Sequence, residues 1–104
     1  EPMRSDAAWK RTCDMIKAYD PRVRGIVVLG LDAPEDELAA CFATAAQHDL
    51  VKGFAVGRTI YSEAARGWLA GTMTDAEAIA QMAGKFARLS ATWDAARGAT
   101  GVAA

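Results

Sequence analysis

The chain has 104 residues, of which 52% are hydrophobic and 24% charged, so it can fold as one domain with a core of ordinary size. Its net charge of −1 provides no long-range attraction to phosphate backbones, which argues against a nucleic-acid-binding protein. The apolar runs are far shorter than the roughly 20 residues that span a bilayer, and no signal peptide is recognisable, so we expect a soluble cytoplasmic protein without a membrane partner.

The first predicted elements are a helix over residues 5–19 and a strand over residues 25–31. Ser5 is a suitable N-cap, apolar residues then recur at helical spacing, and Asp20-Pro21 stops the helix. The run GIVVLGL at 25–31 is rich in β-branched residues and has no polar alternation. This pattern is typical of a strand that is covered on both faces in a parallel sheet.

A second helix and a second strand follow. Pro34 suits the first helical position, the acids after it favour the positive end of the helix dipole, and the helix should run to about residue 48. Its predicted apolar stripe consists of Leu38, Cys41, Phe42 and Ala45. The run VKGFAVG at residues 51–57 is a second buried-type strand, so the three elements predict a βαβ unit with parallel strands.

Two more helices complete the predicted elements. The first is short and ends at Gly71, which suits a left-handed position after a helix. The second begins with a capping box at residues 74–77 and runs to about residue 97. We therefore expect residues 1–97 to form the domain and residues 98–104 to be a flexible tail.

Two buried-type parallel strands cannot complete a sheet by themselves, because their outer edges would stay unpaired. The missing strands would come from residues outside the chain or from another copy of it. We interpret the chain as the C-terminal piece of a larger α/β domain. A freestanding module that pairs with further copies of itself, as a homo-oligomer, is the alternative.

The motif Gly57-Arg58-Thr59 at the end of the second strand suggests a phosphate site. The start of a helix offers unpaired N–H groups and a positive dipole, and the arginine fork can bind two phosphate oxygens. Gly30 and Leu31 end the neighbouring strand at the equivalent place and would form the other side of the site. In the alternative interpretation, Gly57 only permits a tight turn and Arg58 pairs with a nearby acid.

The other polar candidates favour structural roles. Asp32 fits a helix cap or a first-turn acid, and His48, the only histidine, fits the end of the second helix, where it would face the negative end of the dipole. Cys13 and Cys41 lie in helical patterns without metal-ligand spacing and are expected to be buried thiols. We assign no catalytic residue to the chain and expect no metal and no cofactor.

Three segments, EPMRSDAAW, RGIVVLGLDAPEDELAACFA and VKGFAVGRTIYSEAARGWLAG, resemble the C-terminal portion of the aldolase-like domain that is fused to 5-dehydro-2-deoxygluconokinase, a sugar kinase, in bacterial myo-inositol catabolism. The resemblance covers nearly the whole chain. A more distant similarity extends to class I aldolases of the tagatose-bisphosphate type, which are (β/α)8 TIM barrels. The resemblance implies that residues 25–31 and 51–57 are the last two strands of such a barrel, and that a Schiff-base lysine on strand six precedes residue 1.

The same resemblance implies a function for the intact protein. It would cleave 5-dehydro-2-deoxyphosphogluconate into dihydroxyacetone phosphate and malonic semialdehyde through an imine on that lysine. Gly57 and Arg58 match the phosphate contacts after strand eight, and Gly30 and Leu31 match the loop after strand seven. The implied partners are the phosphorylated sugar, the rest of the barrel and the fused kinase domain. A non-catalytic phosphosugar-binding or kinase-docking domain is the alternative function.

Overall fold

The computed structural model of the chain describes residues 1–100. In chain order the elements are helix α1 (Asp6–Tyr19), strand β1 (Ile26–Leu29), helix α2 (Glu35–Ala45), strand β2 (Val51–Ala55), helix α3 (Arg58–Leu69) and helix α4 (Asp75–Thr100). The described part of the chain is therefore an α/β structure with four helices and one pair of strands. The number and the order of these elements are those predicted from the sequence.

Helix α1 begins and ends where the sequence pattern indicated. Ser5 is its N-cap, and the Ser5 hydroxyl accepts a hydrogen bond from the backbone N–H of Ala8 at 3.2 Å. Asp20 has extended backbone geometry and closes the helix through a bond from its N–H to the carbonyl of Ile16. Trp9 is buried on the inner face and joins the main core, so it attaches α1 to the rest of the chain.

The two strands are parallel neighbours, as predicted, with Val28 opposite Phe54 and Leu29 opposite Ala55. Both strands are shorter than the predicted ranges of 25–31 and 51–57. After β1 the backbone turns away from the sheet because Leu31 adopts a left-handed conformation with φ of 49°. After β2 the chain passes almost directly into α3, whose N-cap is Gly57.

Within the described residues only one face of the sheet is covered. The face that carries Val28 packs against α2 and α4, and Val28 is fully buried. The opposite face leaves Val27 49% and Leu29 47% exposed. The helices that pack on the sheet all lie on one side of it, so residues 1–100 do not supply the cover that was predicted for the second face.

The core between the sheet and the helices is built around Phe42. Its ring lies 5.0 Å from that of Phe54 on β2 and 5.3 Å from that of Trp93 on α4, the latter in an edge-to-face arrangement. The predicted stripe of α2 is confirmed, since all four of its members are fully buried: Leu38, Cys41, Phe42 and Ala45. The α2 helix itself is shorter than predicted, because Pro34 is its N-cap and the helix ends at Ala45.

Helices α3 and α4 form a pair joined by a short turn. Gly71 has φ of 75°, which confirms the predicted left-handed position after α3. The predicted capping box is also confirmed, because the Thr74 hydroxyl accepts from the N–H of Glu77 and the Glu77 carboxylate accepts from the N–H of Thr74. Helix α4 continues to Thr100, beyond the predicted end at residue 97, and the last part of the predicted tail, residues 101–104, lies outside the described residues.

Candidate functional site

The four residues predicted to bind phosphate lie on two adjacent loops. Gly30 and Leu31 follow β1, and Gly57 and Arg58 follow β2. Because the strands are parallel neighbours, both loops lie at the same edge of the sheet, beyond the carboxyl ends of the strands. The loops are also in close contact, since a Cβ atom at Gly30 would lie 3.1 Å from the Val56 methyl groups. This edge is where ligands bind in parallel α/β sheets.

The start of α3 carries the strongest anion-binding features of this edge. Gly57 is the N-cap and has no side chain that could cap the helix. Its carbonyl accepts from the N–H groups of Ile60 and Tyr61, whereas the N–H groups of Arg58 and Thr59 donate to no acceptor within residues 1–100. The first turn therefore combines unpaired donors, a positive dipole end and the exposed guanidinium of Arg58.

In the part of the chain that the structure describes, Arg58 forms no ion pair. Two of the four acids in the cleft lining around Arg58 are bound by other cations: Lys85 donates to Glu63 at 2.9 Å, and Arg88 holds Glu35 through two hydrogen bonds of 3.0 and 3.2 Å. The alternative of an Arg58 ion pair at the rim of the site is therefore not observed. Its guanidinium is left with all of its hydrogen-bond donors for a ligand.

These ion pairs fix the charge state of the two acids. Hydrogen bonding from Arg88 lowers the pKa of Glu35 below its usual value, and hydrogen bonding from Lys85 does the same to the pKa of Glu63. Both carboxylates thus stay ionised at neutral pH, and each has a cation beside it. Arg58 forms no ion pair with a carboxylate of the described residues, and the two unpaired acids of the same cleft lining are Asp32 and Asp36.

An open cleft of about 460 Å³ lies beside this edge, between α3 and the start of α2. Arg58 lines the cleft, but Gly30, Leu31 and Gly57 do not. The other charged side chains in its lining are of mixed sign: Asp32, Glu35, Asp36, Glu63, Arg66 and Lys85. The cleft as a whole is therefore not a strongly positive pocket. The groups that suit an anion lie only in the loops after β1 and β2 and in the first turn of α3.

The loop between β1 and α2 differs from its prediction. Leu31 and Asp32 both have left-handed backbone geometry, with φ of 49° and 67°. Asp32 was predicted to cap α2 or to lie in its first turn, and this is wrong: the N-cap is Pro34, which makes no side-chain capping bond. Asp32 instead lies at the exposed turn that brings the chain from the sheet to α2.

Sequence reasoning missed the role of Thr59, the third residue of the Gly57-Arg58-Thr59 motif. Its hydroxyl donates to the carbonyl oxygen of Ala33 at 2.6 Å and so connects the start of α3 to the β1–α2 loop. The acceptor lies 26 residues away in the sequence, and no local pattern could have identified it.

The histidine and the cysteines do not contribute to this site. His48 was predicted to cap the end of α2, but its ring nitrogen lies 2.9 Å from an Asp6 carboxylate oxygen, because α1 begins close to the turn before β2. Cys13 and Cys41 are free and buried, as predicted, and burial raises the pKa of both thiols. Such thiols stay protonated and are poor nucleophiles.

Residues 1–100 contain no group of three or more His, Cys, Asp or Glu side chains placed to hold a metal ion. Over the same residues, none of the helices combines the length and the apolar character that crossing a membrane requires.

Comparison with known proteins gives a family for the chain. Residues 1–97 match the family described as "Uncharacterized protein conserved in bacteria (DUF2090)". No curated protein and no solved structure matches the chain significantly. Since the match spans nearly the whole sequence, the chain belongs to the DUF2090 family of bacterial proteins.

Proposed function

We propose that the chain is the C-terminal part of a cytoplasmic, aldolase-like (β/α)8 barrel, and that the loops after β1 and β2 bind the phosphate group of its sugar substrate. The observation that carries the proposal is the position of Arg58. It is a cation without an acidic partner in the described residues, and it is the first residue of a helix that starts at the carboxyl end of a parallel strand.

The arrangement of the elements supports a barrel. In a (β/α)8 barrel the helices lie outside, and the inner face of each strand is covered by side chains from the other strands. Here the helices cover the face of Val28, and the apolar side chains of Val27 and Leu29 lie on the other face. That second face has the character of a barrel interior.

Helix α3 supports the position of the phosphate site. TIM-barrel phosphate sites are frequently formed by the loops after strands seven and eight together with the N-terminus of a short additional helix. Helix α3 lies between β2 and the long helix α4, and it begins at Arg58. If β1 and β2 are strands seven and eight, α3 occupies the place of that additional helix.

In the proposed reaction, this chain holds the phosphate and the rest of the barrel supplies the nucleophile. A lysine on an earlier strand would form an imine with the keto group of 5-dehydro-2-deoxyphosphogluconate, and the iminium would accept the electron pair of the breaking carbon–carbon bond. Arg58 and the first N–H groups of α3 would fix the phosphate end, so that the keto group stays within reach of the lysine.

The test is Arg58→Ala in the intact protein. We expect the binding of a phosphorylated ketose to weaken by about 2–4 kcal/mol, because a charge-assisted contact is lost, while its dephosphorylated analogue binds nearly unchanged. Arg58→Lys should rescue the binding only in part, since it keeps the charge but loses the planar fork. Isothermal calorimetry with both ligands measures the difference.

Arg66→Ala is the matched control. Arg66 lies on the same helix and lines the same cleft, but it belongs to the last turn of α3. A general effect of removing positive charge would appear in both variants, whereas a phosphate contact at the start of the helix affects only Arg58→Ala. Equal losses for the phosphorylated and the dephosphorylated ligand would contradict the proposed site.

A further inference from the structure

We infer that Thr59 is a positioning residue, which holds the strained β1–α2 loop against the start of α3 and so fixes the distance between the two loops of the site. The binding part of this inference rests on the phosphate site proposed above. The structural part, that the Thr59 hydroxyl keeps the loop in place, stands independently of any ligand.

The β1–α2 loop holds an unfavourable backbone conformation. Leu31 and Asp32 are the two residues other than glycine with positive φ in the described part of the chain, and they are consecutive. Left-handed geometry is disfavoured for any residue with a Cβ atom and is rare for a bulky one such as leucine. The exposed Leu31 side chain gains little burial in return, so contacts elsewhere must stabilise the loop.

Two hydrogen bonds supply that stabilisation, and both involve Ala33. Its N–H donates to the carbonyl of Gly30 at 2.9 Å, which closes the turn over the two left-handed residues. Its carbonyl accepts the 2.6 Å bond from the Thr59 hydroxyl. Ala33 is itself buried, so a carbonyl without this partner would be left poorly solvated.

The Thr59 bond connects the two halves of the proposed site. Thr59 follows Arg58 directly in the first turn of α3, and Ala33 is separated from Gly30 only by the left-handed pair. The first turn of α3 and the loop after β1 therefore cannot move apart while the bond is intact. A phosphate that contacts both loops needs this spacing.

The test compares Thr59→Val, which keeps the branched shape and removes the hydroxyl, with Thr59→Ser, which keeps the hydroxyl. Thr92→Val is the matched control, because the Thr92 hydroxyl also donates to a backbone carbonyl, that of Arg88, but within α4 and away from the site. Two quantities are measured in each variant of the intact protein: the amide-exchange rate of Ala33 by NMR, and the Kd for inorganic phosphate by calorimetry.

In Thr59→Val the bond to the Ala33 carbonyl is lost, so the loop should open more often and break the bond from the Ala33 N–H to Gly30. We expect the Ala33 amide to exchange about 3- to 10-fold faster, because one ordinary hydrogen bond no longer opposes this local opening. The Kd for phosphate should rise by the inverse of the fraction of molecules that keep the loop in place, because only those are competent to bind; a threefold rise corresponds to about one third of the molecules. Thr59→Ser should restore both values, and Thr92→Val should change neither.

The remaining outcomes overturn the inference in distinguishable ways. Unchanged Ala33 exchange in Thr59→Val would show that the hydroxyl does not hold the loop. Weaker phosphate binding with unchanged exchange would mean that the hydroxyl contacts the ligand directly. Faster exchange with an unchanged Kd would show that the loop stays in place in most molecules without the hydroxyl, and it would overturn the binding part of the inference. Failure of the wild-type protein to bind phosphate would refute the proposed site itself, while the exchange data would still decide the structural role of Thr59.

Discussion

The open face of the sheet gives the sharpest test of the barrel proposal, because Leu29 and Val28 lie on opposite faces of β1. Val28 is fully buried against the helices, whereas Leu29 is 47% exposed. If the rest of a barrel covers the open face in the intact protein, Leu29 is buried there and only partly buried in the isolated chain. Leu29→Ala should then lower the free energy of unfolding by a larger amount in the intact protein than in the isolated chain.

The expected magnitudes follow from these exposures. In the isolated chain, Leu29→Ala removes a side chain that is about half buried, and it should lower the free energy of unfolding by about 1 kcal/mol. In the intact protein, the same change would leave a cavity in a covered core and should cost about 2–5 kcal/mol. Val28→Ala should cost about 2 kcal/mol in both contexts, because helices α2 and α4 bury Val28 in either case.

Urea denaturation followed by tryptophan fluorescence measures these costs, provided that the m-value stays the same between variant and wild type. The comparison of interest is the difference between the two contexts for Leu29→Ala, with Val28→Ala as the internal reference. An equally small cost of Leu29→Ala in both contexts would show that the open face stays open in the intact protein, and it would refute the barrel arrangement.

Two further predictions concern charged groups. Because Arg88 lowers the pKa of Glu35 from its ordinary 4.5, the pair adds stability above that pH and loses it as the pH falls through the lower folded value. Acid denaturation monitored by circular dichroism should therefore be less steep below about pH 5 for Glu35→Gln than for wild type. Asp36→Asn is the matched control, because it removes an acid of the same first helical turn that forms no ion pair in the described residues. The isolated chain should also give no stoichiometric borohydride-trapped adduct with a ketose phosphate. Three of its four lysines, Lys10, Lys17 and Lys85, pair with acids. The fourth, Lys52, is exposed at the start of β2.

Features with local causes were predictable from the sequence. The Ser5 cap, the capping box before α4 and the left-handed Gly71 each depend on residues at most a few positions apart, and all three are present in the structure. The buried stripe of α2 follows in the same way from helical periodicity. The parallel pairing of the strands was also predictable, because a helix of this length between two strands favours the crossover of a βαβ unit.

Features that depend on distant partners were not predictable. Trp68 lies on an apolar helical stripe, yet it is 51% exposed, and its indole N–H donates to Asp75 on the neighbouring helix. Arg97 is 5% exposed, because its guanidinium stacks on Trp93 and donates to backbone carbonyls, one of them that of His48. The local sequence around an arginine near the end of a helix does not indicate that its side chain is buried. The Thr59 contact belongs to the same class.

The proposed phosphate site alone cannot separate the two functions that the sequence leaves open, because an aldolase and a non-catalytic phosphosugar-binding domain would both use Arg58 in the same way. Carbon–carbon cleavage needs an electron sink as well, such as the imine of a lysine. Within the chain Lys10, Lys17 and Lys85 pair with acids, and Lys52 lies near the start of β2, at the end of the sheet opposite the proposed site. Trapping of the intact protein with borohydride and a ketose phosphate therefore decides between them. An adduct on a lysine outside residues 1–104 would support the aldolase, and phosphate-dependent binding without any adduct would establish a binding domain.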